Sequence, residues 1–244
     1  MPYSKNTNIF RKARKSMAGA RRSATSVATA LSSSASPVFI PLVGMCLLFW
    51  FFYRSLFAFP VWFDELVGKA LFFGLPVWLY VMVTGTQKIT DTLRAGLFKR
   101  GLSLGLAVGG TLGFVASLLA IYQRGGGVQP AALFMADGFW WEFFLALLTG
   151  FWETLFFFSF VMIVLQDTWK HWSLFKQVVM VAAIFVVFHL PNAILRFNGS
   201  AIAYQAILLF LFAIGQGFLF AREKNAYALV LSPAIWGMVL LIHF

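Results

Sequence analysis

Seven apolar runs, each close to the length that crosses a bilayer, constrain this chain more than any motif in it. They fall at about 37–59, 67–86, 102–122, 138–165, 176–195, 201–221 and 226–243. A helix needs about 20 apolar residues to span the hydrocarbon core. Charged residues make up only 11% of the chain, against about a quarter in soluble domains. The expected fold is all-α: a polytopic integral membrane helix bundle of about seven transmembrane helices. The fourth run is too long for a straight perpendicular helix, so a tilt, or a break near Gly150, is expected there.

The formal net charge of +11 raises the question of nucleic acid. The positive residues sit in a tail and in short loops between apolar runs, which suits an anionic inner leaflet instead. Residues 1–36 hold Lys5, Arg11, Lys12, Arg14, Lys15, Arg21 and Arg22 and no acidic residue. They are expected to form a disordered or surface-lying tail ahead of a transmembrane bundle at 37–244. An organellar transit peptide is the alternative for such a composition. With the N-terminus inside, the inner loops carry Lys88, Arg94, Lys99, Arg100, Lys170, Lys176, Arg222 and Lys224. Outer segments are left with Lys69, Arg124 and Arg196, along with Asp64, Glu65 and Asp137, and Arg54 is expected to snorkel outward. This bias supports a cytoplasmic N-terminus, and a prokaryotic plasma membrane is the default location. Gly125-Gly126-Gly127 marks a flexible outer loop, and the single cysteine, Cys46, excludes a disulfide framework within the chain.

Polar groups inside apolar runs need a reason to be there. Even on forgiving insertion scales an ionised Glu at mid-span costs about 2.5–3.5 kcal/mol. Glu142 and Glu153 lie eleven residues apart in the fourth run and share a face if that helix is continuous. His189 lies in Phe185-Val-Val-Phe-His-Leu-Pro-Asn192, with Asn192 on its face and Pro191 expected to distort the helix. A Glu–His pair around a water can do general base chemistry, with His189 donating to a developing oxyanion or moving the proton. The plainer alternatives are a buried structural pair for Glu153, an interfacial position for Glu142 and a brace at the proline for Asn192. His171 reads as a surface residue and His243 as interfacial. Gly215-Gln216-Gly217 reads as close helix packing and Trp140-Trp141 as an interfacial belt. There is no His-Glu-x-x-His motif or close ligand set, so no metal and no cofactor are expected.

The order of these motifs resembles the CPBP family of intramembrane proteases, which includes CAAX proteases and Abi proteins. That family's first motif, typically Glu-Glu-Leu-Leu-Phe-Arg-Gly, aligns without gaps on Glu153-Thr-Leu-Phe-Phe-Phe-Ser159. Glu153 takes the first Glu and Phe157 the Phe, while Thr154, Phe158 and Ser159 replace the second Glu, the Arg and the Gly. The second motif, Phe-x-x-x-His, is matched by Phe185 and His189, followed by Leu-Pro-Asn. The last motif, His-x-x-x-Asn, finds Pro233 and Gly237 at its two polar positions. The resemblance covers about residues 90–240.

It implies an endopeptidase that uses a Glu-activated water on a membrane-embedded peptide or a prenylated protein. Glu153 and His189 would be catalytic, with Asn192 supporting them and Glu142, by its shared face with Glu153, a further supporting candidate. The partners implied are the lipid bilayer and that substrate, with no nucleic acid. Because several motif residues are replaced, the alternative is a non-catalytic relative: a membrane scaffold, chaperone or immunity-type binding protein. A transporter is a third reading with thinner support, since no internal repeat is visible.

Overall fold

A computed structural model describes residues 37–123 and 138–243. The tail at 1–36 and the glycine loop at 125–127 lie outside the described residues. Within them there are seven long helices and no strand. They are α1 (Pro37–Leu56), α2 (Val61–Thr84), α3 (Phe98–Gln123), α4 (Phe139–Thr168), α5 (Leu174–Arg196), α6 (Ser200–Glu223) and α7 (Ala226–His243). Of these, α1, α2, α4, α5 and α6 are long and apolar enough to cross a membrane. Two basic residues in the first turn of α3, Lys99 and Arg100, dilute its apolar character, and α7 has a shorter apolar stretch, Ala226–Trp236.

The α2 boundary corrects the sequence reading in a consequential way. The helix begins at Val61, just after Pro60, and not near 67. Asp64, Glu65 and Lys69, expected in an outer segment, therefore lie within it, and Asp64 and Lys69 are buried. Arg54 does not snorkel. It pairs with Asp64 and holds its guanidinium 5.8 Å from the Trp50 ring centre.

Two stretches of α2, Asp64–Gly68 and Ala70–Gly74, are π-helical and flank Lys69. A third, Thr154–Met162, widens the middle of α4, and every residue in it is buried. The expected break near Gly150 is absent, and α4 runs through to Thr168. A Cβ on Gly150 would sit 2.5 Å from the Val230 carbonyl oxygen, so this glycine lets α7 approach α4 closely. α7 packs along both α4 and α3, and α5 packs against α6.

The core is aromatic and centred on α4. Phe156 stacks on Phe73 of α2 with ring centres 5.2 Å apart, and Phe157 meets Phe185 of α5 edge-on at 4.9 Å. α5 continues through Pro191. One turn before it, the Phe188 carbonyl accepts a 3.0 Å hydrogen bond from Trp50 Nε1. At the end of the bundle that carries the α2–α3, α4–α5 and α6–α7 connections, Lys88 pairs with Asp167 at 2.7 Å and Arg100 with Glu223 at 2.5 Å. Asn225 Nδ2 donates to the Leu97 carbonyl at 2.9 Å. The loops with the positive excess thus gather on one side.

Candidate functional site

Glu153 closes the α-helical part of α4, immediately before the π-helical stretch. Its Oε1 accepts a hydrogen bond from Lys69 Nζ at 2.8 Å and lies 3.4 Å from His189 Nε2. Lys69 Nζ is also 2.7 Å from Glu65 Oε2, and Thr149 Oγ1 donates to that same carboxylate. The side chains of Lys69 and Glu153 are only 7% and 12% exposed. Charged groups from α2 and α4 and an imidazole from α5 thus meet where the apolar core would otherwise exclude them. π-helical turns, which often mark functional positions, border the cluster on both charged helices.

The orientation of His189 follows from its partners. Nδ1 lies 2.8 Å from the Phe185 carbonyl oxygen, and a carbonyl can only accept, so Nδ1 carries a proton. The Phe185 ring stacks on the imidazole with centres 4.1 Å apart. Nε2 is therefore the group presented to Glu153. It offers a lone pair when the ring is neutral and an N–H when it is charged.

A cavity of about 400 Å³ opens beside this network at the α1–α2 turn. Its polar lining includes Arg54, Asp64, Glu65, Lys69 and Asn192. Asn192 thus reaches the cavity wall, and its Oδ1 has no hydrogen-bond partner among the described residues. Glu142, in contrast, is exposed in the first turn of α4 and has no ion pair among the described residues. It lies about 16 Å along the helix from Glu153 at 1.5 Å per residue.

The motif positions that had lost their polar residues are used for packing. Phe158 is 3% exposed and faces Phe185 and Phe220. The fully buried Ser159 pairs with Thr92 at 2.9 Å. Beside Pro233, Ser232 is held by Gln216 Nε2 at 2.6 Å. Of the two glycines flanking Gln216, Gly217 packs against Val178, while Gly215 has open space beside it. His171 is exposed, as its loop position suggested.

Sequence reasoning missed Lys69 and Glu65. The available signal was a Glu–Lys pair at i,i+4 running into an apolar stretch, together with a mid-span carboxylate that lacked a counter-charge.

Comparison with known families decides the relationship. Residues 135–239 match the family described as type II CAAX prenyl endopeptidase Rce1-like. The chain is an integral membrane protein that is CAAX-protease-like over that stretch. No curated protein and no solved structure matches it. The Rce1-like region runs from the start of α4 into α7. It contains Glu153 and His189, leaves out α2 with Glu65 and Lys69, and begins later than the expected start near residue 90.

Proposed function

We propose that this protein is an intramembrane endopeptidase in which Glu153 activates water against a peptide bond in a membrane peptide or a prenylated protein tail. The observation that carries the reading is the Glu153–His189 contact at 3.4 Å within the Rce1-like region. Glu153 Oε1 is held by Lys69, while Oε2 accepts no hydrogen bond among the described residues. That second oxygen is the one to take a proton from water. His189, fixed through Nδ1, faces the same carboxylate and passes the proton onward. General base chemistry of this kind contributes about 10²–10⁴ in rate.

The test is cleavage of a farnesylated peptide ending in Cys-aliphatic-aliphatic-X, added to the full chain in lipid nanodiscs, with products followed by mass. Wild type is expected to release the tail and E153Q to lose at least about a hundredfold in rate. Equal turnover in both would remove Glu153 as the base.

A second reading is favoured by a different observation. The Lys69–Glu153 ion pair occupies the carboxylate, and Thr154, Phe158, Pro233 and Gly237 offer none of the family's other polar groups. On this reading the protein is a non-catalytic relative that binds a membrane peptide or protein as a scaffold, chaperone or immunity-type factor. Binding of the peptide without release of its tail would select it.

The positive-inside pattern supports a cytoplasmic N-terminus, and a prokaryotic plasma membrane is the default location because nothing in the sequence demands an organelle. The cavity then faces the outer side, since it opens at the end opposite the basic loops. Inner-side labelling of residue 244 would contradict this topology.

A further inference from the structure

We infer that Lys69, which lies outside the Rce1-like region, is the oxyanion donor of this site. The inference rests on the hydrolase reading. At the positions of the family's last motif, Pro233 and Gly237 carry no side-chain donor, and the neighbouring Ser232 is fully buried and accepts from Gln216 Nε2. Among the described residues, the side-chain nitrogens in contact with Glu153 are His189 Nε2 and Lys69 Nζ, and of these two Lys69 lines the cavity.

An ammonium has three N–H groups. Glu153 Oε1 takes one of Lys69's at 2.8 Å and Glu65 Oε2 another at 2.7 Å. The third has no partner among the described residues, and Lys69 lines the cavity. Thr149 donates to the same Glu65 oxygen, so the lysine is braced by α4 through Glu65 as well as through Glu153. The π-helical stretches on either side of Lys69 fit a residue placed for function.

The step balances as follows. Glu153 Oε2 removes a proton from water, and the water oxygen bonds to the scissile carbonyl carbon. The carbonyl oxygen gains the electron pair and is stabilised by the Lys69 N–H. The tetrahedral species collapses, the C–N bond breaks, and the proton moves through the Glu153–His189 pair to the leaving nitrogen. The products are a carboxylic acid and an amine, and no further reactant is consumed.

The experiment uses the full chain in nanodiscs and two probes: the farnesylated peptide, and its analogue with the scissile amide replaced by a phosphinate, a stable tetrahedral anion. Removing Lys69 alone would leave two carboxylates facing each other, so the informative variant is E65Q/K69M, which keeps the net charge of the cluster. We expect kcat to fall by about 10²–10³ and KM to stay within about threefold. The wild type is expected to bind the phosphinate at least tenfold more tightly than the amide, and the variant to lose that preference.

K69R is the second variant, for use if the double variant does not fold. It keeps a charge between the carboxylates and is expected to lose part of both effects. A variant with wild-type kcat and wild-type preference overturns the inference. So does a wild type that shows no preference for the phosphinate, whatever its turnover. A normal Lys69 variant beside an inert E153Q would overturn the role of Lys69 alone. Equal turnover in wild type and E153Q would overturn the hydrolase reading itself.

Discussion

The α3–α7 seam and the α2–α4–α5 junction solve the same problem by opposite means. Along α3, a Cβ at Gly101, Gly105 or Gly109 would come within 2.5, 2.8 and 2.9 Å of Tyr227, Ala228 and Ser232. The two helices touch backbone to backbone, as small residues allow where lipid supplies no hydrophobic force between helices. At the other junction Glu65, Lys69, Glu153 and His189 meet in a compensated polar cluster. The first arrangement tolerates almost no added volume. The second tolerates almost no change in charge. The family's last motif lies on α7 and has lost its polar residues, whereas its first two fall on the second junction and keep one each. The second junction also draws on α2, a helix that the family match does not include.

Changes of charge and of volume should therefore have different signatures. The largest effect is expected for K69M, which leaves Glu65 and Glu153 facing each other without their cation. Breaking a buried pair of this sort costs about 3–5 kcal/mol. Unfolding in mixed micelles should register that loss, and E65Q/K69M should recover more than half of it. Recovery would show that the damage lies in charge and not in the lost lysine stem.

Next comes G150A at the α4–α7 contact. A methyl there meets the Val230 carbonyl oxygen at 2.5 Å, and overpacking of this kind costs about 1–3 kcal/mol. A thermal melt unchanged within a degree would mean that the helices are free to move apart. S159A removes one partner of the Ser159–Thr92 hydrogen bond on α4 and is expected to cost about 1 kcal/mol by the same melt. The smallest effect is expected for K88A. Its partner Asp167 and the lysine itself are largely exposed, so the change should stay below about 1 kcal/mol and shrink further in high salt.

The helices were legible because each apolar run is long and each is bounded by charge, Gly or Pro. The Glu153–His189 contact was legible through motif order, although the two residues lie 36 positions apart. Lys69 was not. Hydropathy treats a charged residue near the end of an apolar run as solvent-facing, so Asp64, Glu65 and Lys69 were assigned to an outer segment. What makes Lys69 affordable within the bundle is Glu153, 84 residues later. No local window contains both. The same blindness applies to Arg54, whose partner Asp64 was near in sequence but assigned to water. Of the tilt or break expected for the fourth run, the break is absent: a glycine in a long helix suggests one, and only the position of Val230 shows that Gly150 marks a contact. Glu142 satisfied the periodicity argument, yet its side chain faces outward on the first turn of α4.

The most direct test is a double-mutant cycle between Lys69 and Glu153, read as unfolding free energy in bilayers from wild type, K69M, E153Q and K69M/E153Q. Groups that share one buried ion pair should couple by about 1–3 kcal/mol, with the double variant less damaged than the sum of the singles. Coupling within about 0.5 kcal/mol of zero, the range seen for independent sites, would mean that α2 does not bring Lys69 to Glu153.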